Sequence, residues 1–89
     1  MVYLVTYDLN KPGKDYNNLY LALQKFEYIR DVNLDSVWFV SSTASAVDIY
    51  EYLRHHLDVT DRVFITQLHL EEYQGWMHPN VWTWIRPRL

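Results

Sequence analysis

Apolar and aromatic residues fill positions 2–9 almost without charge, Val2-Tyr3-Leu4-Val5-Thr6-Tyr7 leading into Asp8 and Leu9. A strand that shows no polar alternation is one covered on both faces, so this run predicts an interior β-strand. Asn10-Lys11-Pro12-Gly13-Lys14 then reads as a turn, Pro presetting one backbone angle and Gly permitting an unusual one. Asp15 is placed to cap a helix whose buried stripe is Tyr16, Leu19, Tyr20, Leu23 and Phe26, ending near Glu27. Residues 28–33 form a short, weak strand pattern. Leu34-Asp35 turns into a stronger strand at 36–41, Ser-Val-Trp-Phe-Val-Ser, in which Trp38 and Phe39 point to opposite faces. Ser45 followed by Asp48 resembles a capping box, and Ala46, Ile49, Tyr50, Leu53 and Leu57 supply a second helical stripe. After the polar connection 58–61, residues 62–68 read as the last strand.

The order strand, helix, two strands, helix, strand is the split βαβ pattern of an α+β sandwich, with both helices on one face of an antiparallel sheet. It occupies residues 1–70. The extension 71–89 is rich in aromatic residues, with Val81, Trp82 and Ile85 on one face of a short helix before Pro87. A lone helix of that length is marginal, so Trp76, Trp82 and Trp84 require a surface. The open side of the sheet and a partner subunit are the two alternatives, and a homodimer is expected.

Composition sharpens this picture. Eighty-nine residues support one hydrophobic core, and at 49% hydrophobic the chain is far from the composition of a disordered segment. Four Trp and eight Tyr are more large rings than one small core hides, which favours an interface or ligand surface. The absence of cysteine excludes disulfides, thiolate catalysis and cysteine-based zinc sites, and it fits a cytoplasmic protein. The first apolar run reaches Asp8 too soon for a secretory signal, and no run approaches the length of a membrane span. With 8 Lys and Arg against 11 Asp and Glu, the net charge of −3 argues against indiscriminate attraction to nucleic acid and leaves room for a local basic face.

Asp8 is the leading chemical candidate. A carboxylate at the end of an apolar strand lies at the sheet rim, where it either stabilises the turn or binds a hard cation. One carboxylate is a poor Mg²⁺ site, so Asn10, substrate phosphates or Asp8 of a second subunit would complete it. Lys11 and Lys14 flank a turn without the length or glycines of a phosphate loop, yet they are placed to contact a phosphate backbone beside a helix N-terminus. Arg54 and Arg62 join His55 in a modest basic patch, or else pair with acids such as Glu51 and Asp61. Ser36, between two strand-like runs, is placed to face the Asp8 rim if the chain kinks there. No histidine spacing matches a helical zinc motif.

The run Tyr3-Leu4-Val5-Thr6-Tyr7-Asp8-Leu9, the helix after it, and Ser36-Val37-Trp38-Phe39 together resemble the small CRISPR-associated adaptation proteins, the second-numbered Cas family. Through Tyr7-Asp8-Leu9-Asn10-Lys11-Pro12-Gly13 the chain is closer to their SinR-like relatives, and more distantly it is similar to VapD-like toxin ribonucleases. The resemblance covers residues 2–70. It implies a ferredoxin-like homodimer in which strand-end aspartates face each other across the axis. It also implies Mg²⁺-dependent cleavage of RNA or DNA at Asp8, with Ser36 matching a serine found after the first helix. The same dimers also act as non-catalytic scaffolds for protein and nucleic-acid partners. The chain departs from the family in its acidity, in lacking an arginine-rich segment after the first strand, and in its tryptophan-rich tail.

Overall fold

A computed structural model describes all residues from Met1 to Leu89. Strand β1 (Val2–Asp8) lies inside a four-stranded antiparallel sheet of order β2-β3-β1-β4, with β2 at Glu27–Ile29, β3 at Val37–Ser41 and β4 at Arg62–Gln67. Helix α1 (Asn17–Leu23) precedes β2, α2 (Ala46–Leu53) precedes β4, and α3 (Pro79–Ile85) closes the chain. The register sets Val5 opposite Trp38 on β3 and Ile65 on β4, and Asp8 opposite Arg62.

Alternation along β1 divides the core into two. Tyr3 and Val5 face α1 and α2, where they join Leu19, Leu23, Trp38, Val40, Ile49 and Leu53. Val2 faces the other way and packs with Phe39, Val81 and Ile85, so the tail helix covers the sheet face opposite α1 and α2. Both layers therefore bury β1, as its unbroken apolar run requires.

Local chemistry explains where elements start and stop. Gly13, at φ 78°, takes the left-handed turn position that side chains resist. Asp15 Oδ1 accepts the Asn17 amide at 2.9 Å, and Ser45 Oγ accepts that of Asp48 at 3.1 Å, each supplying a partner to an otherwise open helix N-terminus. Helix α1 is shorter than its stripe: Tyr16 is its N-cap, with the hydroxyl bonded to Asp61, and Phe26 lies beyond its end, edge-on to Tyr52, yet both side chains pack against the core. Strand β2 is also shorter than residues 28–33. Asp31 accepts the amide of Asn33 on its carboxylate and that of Leu34 on its carbonyl, turning the backbone out of the ladder after Ile29. Helix α2 tightens into a 3-10 turn, Arg54–His56, before Leu57 is reached, and Tyr50 remains exposed. Strand β4 ends at Gln67, although the Leu68 amide still bonds the Val2 carbonyl at 2.8 Å.

Two buried aspartates tie these pieces together. Asp61 accepts from the Asn10 amide (2.7 Å), the Asp58 amide (2.7 Å) and the Tyr16 hydroxyl (2.5 Å), joining the turn after β1 to the loop before β4. It is therefore an internal acceptor and not the surface partner of Arg62, whose guanidinium bonds the Val59 and Asp61 carbonyls. Asp31 accepts the His78 amide at 2.6 Å, while Glu27 pairs with Arg88, so the tail helix is fastened at both ends to the β2 side of the sheet.

Candidate functional site

Antiparallel pairing of β1 with β3 brings the end of the first strand beside the start of the third. The Tyr7 amide donates to the Ser36 carbonyl at 3.2 Å, one residue before β3 begins. Asp8 and Ser36, 28 positions apart in the chain, consequently line one open cleft of about 570 Å³ with Tyr7, Asp35, Arg30, Trp38, Asn17 and Tyr20 of α1, and Gln24 just after it. Asp8 is exposed, and its backbone carbonyl accepts from Asn10 Nδ2 at 3.2 Å.

Side-chain contacts tie the cleft wall together. Trp38 is buried beneath it and donates its indole N–H to the Tyr7 hydroxyl at 2.9 Å. The Arg30 guanidinium lies 4.2 Å from the Trp38 ring centroid, a cation–π contact, and one of its nitrogens bonds the Asp35 carbonyl. Arg30 Nε is buried without a partner and so retains donor capacity. Tyr7 and Tyr20 face each other at 6.4 Å between ring centroids, tilted by 45°. Burial pushes the Tyr7 hydroxyl above its ordinary pKa, against the opposing pull of the Trp38 hydrogen bond and of Arg30. It therefore stays protonated through neutral pH as a hydrogen-bonding group.

The other sequence candidates stand outside this cleft. Lys14 Nζ donates to the His56 carbonyl at 3.1 Å and lies 5.0 Å from the Tyr16 ring. Arg54 is ion-paired with Glu51 at 2.6 Å, and Lys11 is exposed on the turn. Arg62 is the cross-strand neighbour of Asp8 on β4, folded onto its own loop carbonyls. The cation that does line the cleft, Arg30, went unnoticed in the sequence, as did Asp35. Their only signal is that they bracket the β2–β3 connection five residues apart; which strand end that connection meets is set by the sheet.

Among the tail tryptophans, Trp82 stacks on Tyr73 at 5.8 Å and Trp84 lies beneath the Arg88 guanidinium. Trp76 is 98% exposed. It borders an apolar groove of about 330 Å³ formed by Leu4, Val37, Phe39 and Leu68 of the sheet region and by Met77 and Ile85 of the tail. No group of three or more His, Cys, Asp or Glu side chains is arranged to hold a metal ion, and no helix is long and apolar enough to cross a membrane. Comparison with protein-family models, curated proteins and solved structures gives no match to this chain.

Proposed function

We propose that this chain is a ferredoxin-like, nucleic-acid-related cytoplasmic protein whose Asp8 cleft supports Mg²⁺-dependent cleavage of a phosphodiester backbone. The observation that carries this reading is the convergence of Asp8 with Ser36, and of both with Asp35 and Arg30, in one cleft. The strand order β2-β3-β1-β4 supports the ferredoxin-like assignment, and the run Tyr7 to Gly13 supports kinship with the SinR-like relatives of CRISPR-associated adaptation proteins.

The donor set fits a hard cation that shares its coordination with substrate. Asp8 would hold the ion, and Asp35, which lines the same cleft, would offer a second carboxylate; Mg²⁺ commonly takes one or two carboxylates and completes its shell with water and phosphate oxygens. When bound, it supplies Lewis-acid stabilisation of charge on the phosphate. Arg30 adds a fixed cation, Ser36 a hydroxyl donor, and the buried Trp38 holds the Tyr7 side of the cleft in place. In this proposal the cleft needs no second Asp8, although a two-fold dimer would duplicate it.

The test is cleavage of labelled single-stranded RNA, single-stranded DNA and duplex DNA with Mg²⁺, with EDTA, and with Asp8→Asn. Cleavage is expected to stop in EDTA and to slow at least tenfold in Asp8→Asn, with the circular-dichroism spectrum unchanged because Asp8 is exposed. Equal rates for wild type and variant would defeat the catalytic reading.

A second reading, a homodimeric scaffold or protein-interaction module, is favoured by Trp76. A fully exposed indole beside an apolar groove is a knob next to a hole, and a two-fold axis would let two copies exchange them. Phe64, 62% exposed, extends the apolar area because the register puts it beside Thr6, and Thr6 beside Val37 of the groove. Sedimentation of the wild type should show a dimer that Trp76→Ala shifts to monomer, while Asp8→Asn leaves it intact. A wild type that sediments as a monomer at every concentration would exclude this reading.

A further inference from the structure

Aromatic rings and a guanidinium stand in the cleft beside its carboxyl-bearing residues. Tyr7, Tyr20 and Arg30 line it, and the Arg30 guanidinium lies 4.2 Å from the Trp38 ring centroid. Aromatic faces and guanidinium planes are the surfaces on which unstacked bases lie. Beside them stand Asn17 at the start of α1 and Gln24 just past its end, both exposed, and neither amide group makes an intramolecular hydrogen bond. A primary amide offers a donor and an acceptor together, which suits the hydrogen-bonding edge of a base. A volume of about 570 Å³ falls within the range of small-ligand sites and cannot enclose a double helix.

Charge points the same way. Duplex binding without sequence preference depends on neutralising several phosphates. Here Arg54 and Arg88 are paired with Glu51 and Glu27, Lys14 and Arg62 are bonded to backbone carbonyls, and the chain carries −3 overall. The cation in the cleft is Arg30, with Asp8 and Asp35 close by. One phosphate beside one arginine, with ribose hydroxyls toward the carboxylates, matches that distribution; a run of phosphates does not.

We infer that the cleft accepts one unpaired nucleotide of a single-stranded nucleic acid, its base against Tyr20 and Arg30 and its polar edge toward Asn17 and Gln24. This rests on the nucleic-acid reading above and narrows its substrate class. Tyr20 is the residue that confers the preference for a single strand, because a paired and stacked base cannot reach its ring.

The test is fluorescence anisotropy in EDTA with fluorescein-labelled oligo(U), oligo(dT) and a blunt DNA duplex of equal length. Both single strands should bind at least tenfold more tightly than the duplex. Tyr20→Leu, which keeps apolar packing but removes the ring, should weaken single-strand binding roughly tenfold, the order expected for one lost base stack. If circular dichroism shows that this variant is unfolded, the double variant Asn17→Ala/Gln24→Ala, at exposed positions, carries the same test with a several-fold loss expected. Duplex binding as tight as single-strand binding, or single-strand binding indifferent to these substitutions, would overturn the inference and leave the nucleic-acid reading standing. No binding by any of the three probes, in EDTA and again with Ca²⁺ in its place, would overturn both.

Discussion

Trp38→Ala is expected to cost about 4 kcal/mol of folding stability, a large part of the total for a domain of this size. The side chain is 1% exposed and belongs to the cluster between the sheet and helices α1 and α2. Truncation removes its apolar contacts and leaves a cavity, because neighbours such as Leu23 and Leu53 belong to rigid elements and relax only in part. Two further losses follow: the Tyr7 hydroxyl forfeits its indole donor, and Arg30 loses the ring beneath its guanidinium. The same substitution therefore loosens the cleft wall as it weakens the core. Urea unfolding followed by far-ultraviolet circular dichroism checks this. A lowered midpoint with an unchanged slope is expected, and a loss under about 1 kcal/mol would show that the site repacks.

Asp61→Ala is expected to cost about 2 kcal/mol, because it strips the acceptor from the Asn10 and Asp58 amides and the Tyr16 hydroxyl at once. Asp61→Asn is informative in a different way. It keeps an oxygen for Asn10 and Tyr16 but sets an N–H against the Asp58 amide. The pH dependence has a definite sign. Burial alone would raise the Asp61 pKa, but the Tyr16 hydroxyl, the two amides and Lys14 outweigh it and hold the carboxyl below its ordinary value. A carboxylate lowered in the folded state contributes stability in full above the unfolded value of about 4, and loses it as pH falls through the folded value. Asp31 adds in the same direction, its carboxylate held down by the His78 and Asn33 amides against the effect of burial. The difference in melting temperature between wild type and Asp61→Asn should therefore be constant from neutral pH to about pH 5 and shrink below about pH 4. A difference unchanged down to the most acid samples would count against the Asp61 linkage.

How much of this could be read from residues alone divides along physical lines. The unbroken apolar run at β1, the spacing of Leu19 and Leu23, and Ser45 preceding Asp48 are local signals, and the elements they predict are present. The opposite facing of Trp38 and Phe39 follows from strand alternation alone, and the two side chains enter different clusters. Contacts across tens of residues were not legible. Nothing near Asp61 reveals that Asn10 and Tyr16 will need its carboxylate, and nothing near Asp31 reveals that His78 will return to it. Tyr16 marks the limit at the start of α1: its side chain joins the stripe against the core, yet it is the N-cap, and its hydroxyl bond to Asp61, 45 positions on, has no local signal. The end of β1 and the start of β3 are legible as one sheet rim, and Asp8 and Ser36 do line a common cleft there. Arg30 and Asp35 acquire meaning only once the sheet order is known.

That sheet order also bears on how the chain acquires its structure as it is synthesised. The first strand made is bordered on both sides by strands made later, β3 and then β4. Its outer pairing, from Asp8 with Arg62 to Tyr3 with Gln67, waits for residues more than fifty positions downstream, and Val2 is sealed only by Val81 and Ile85. Closing such distant pairs costs loop entropy before it returns contact energy. A nascent chain that has not yet released the residues of β4 thus holds its most apolar strand with an open edge, even though every residue that lines the cleft, from Tyr7 to Trp38, has already been made.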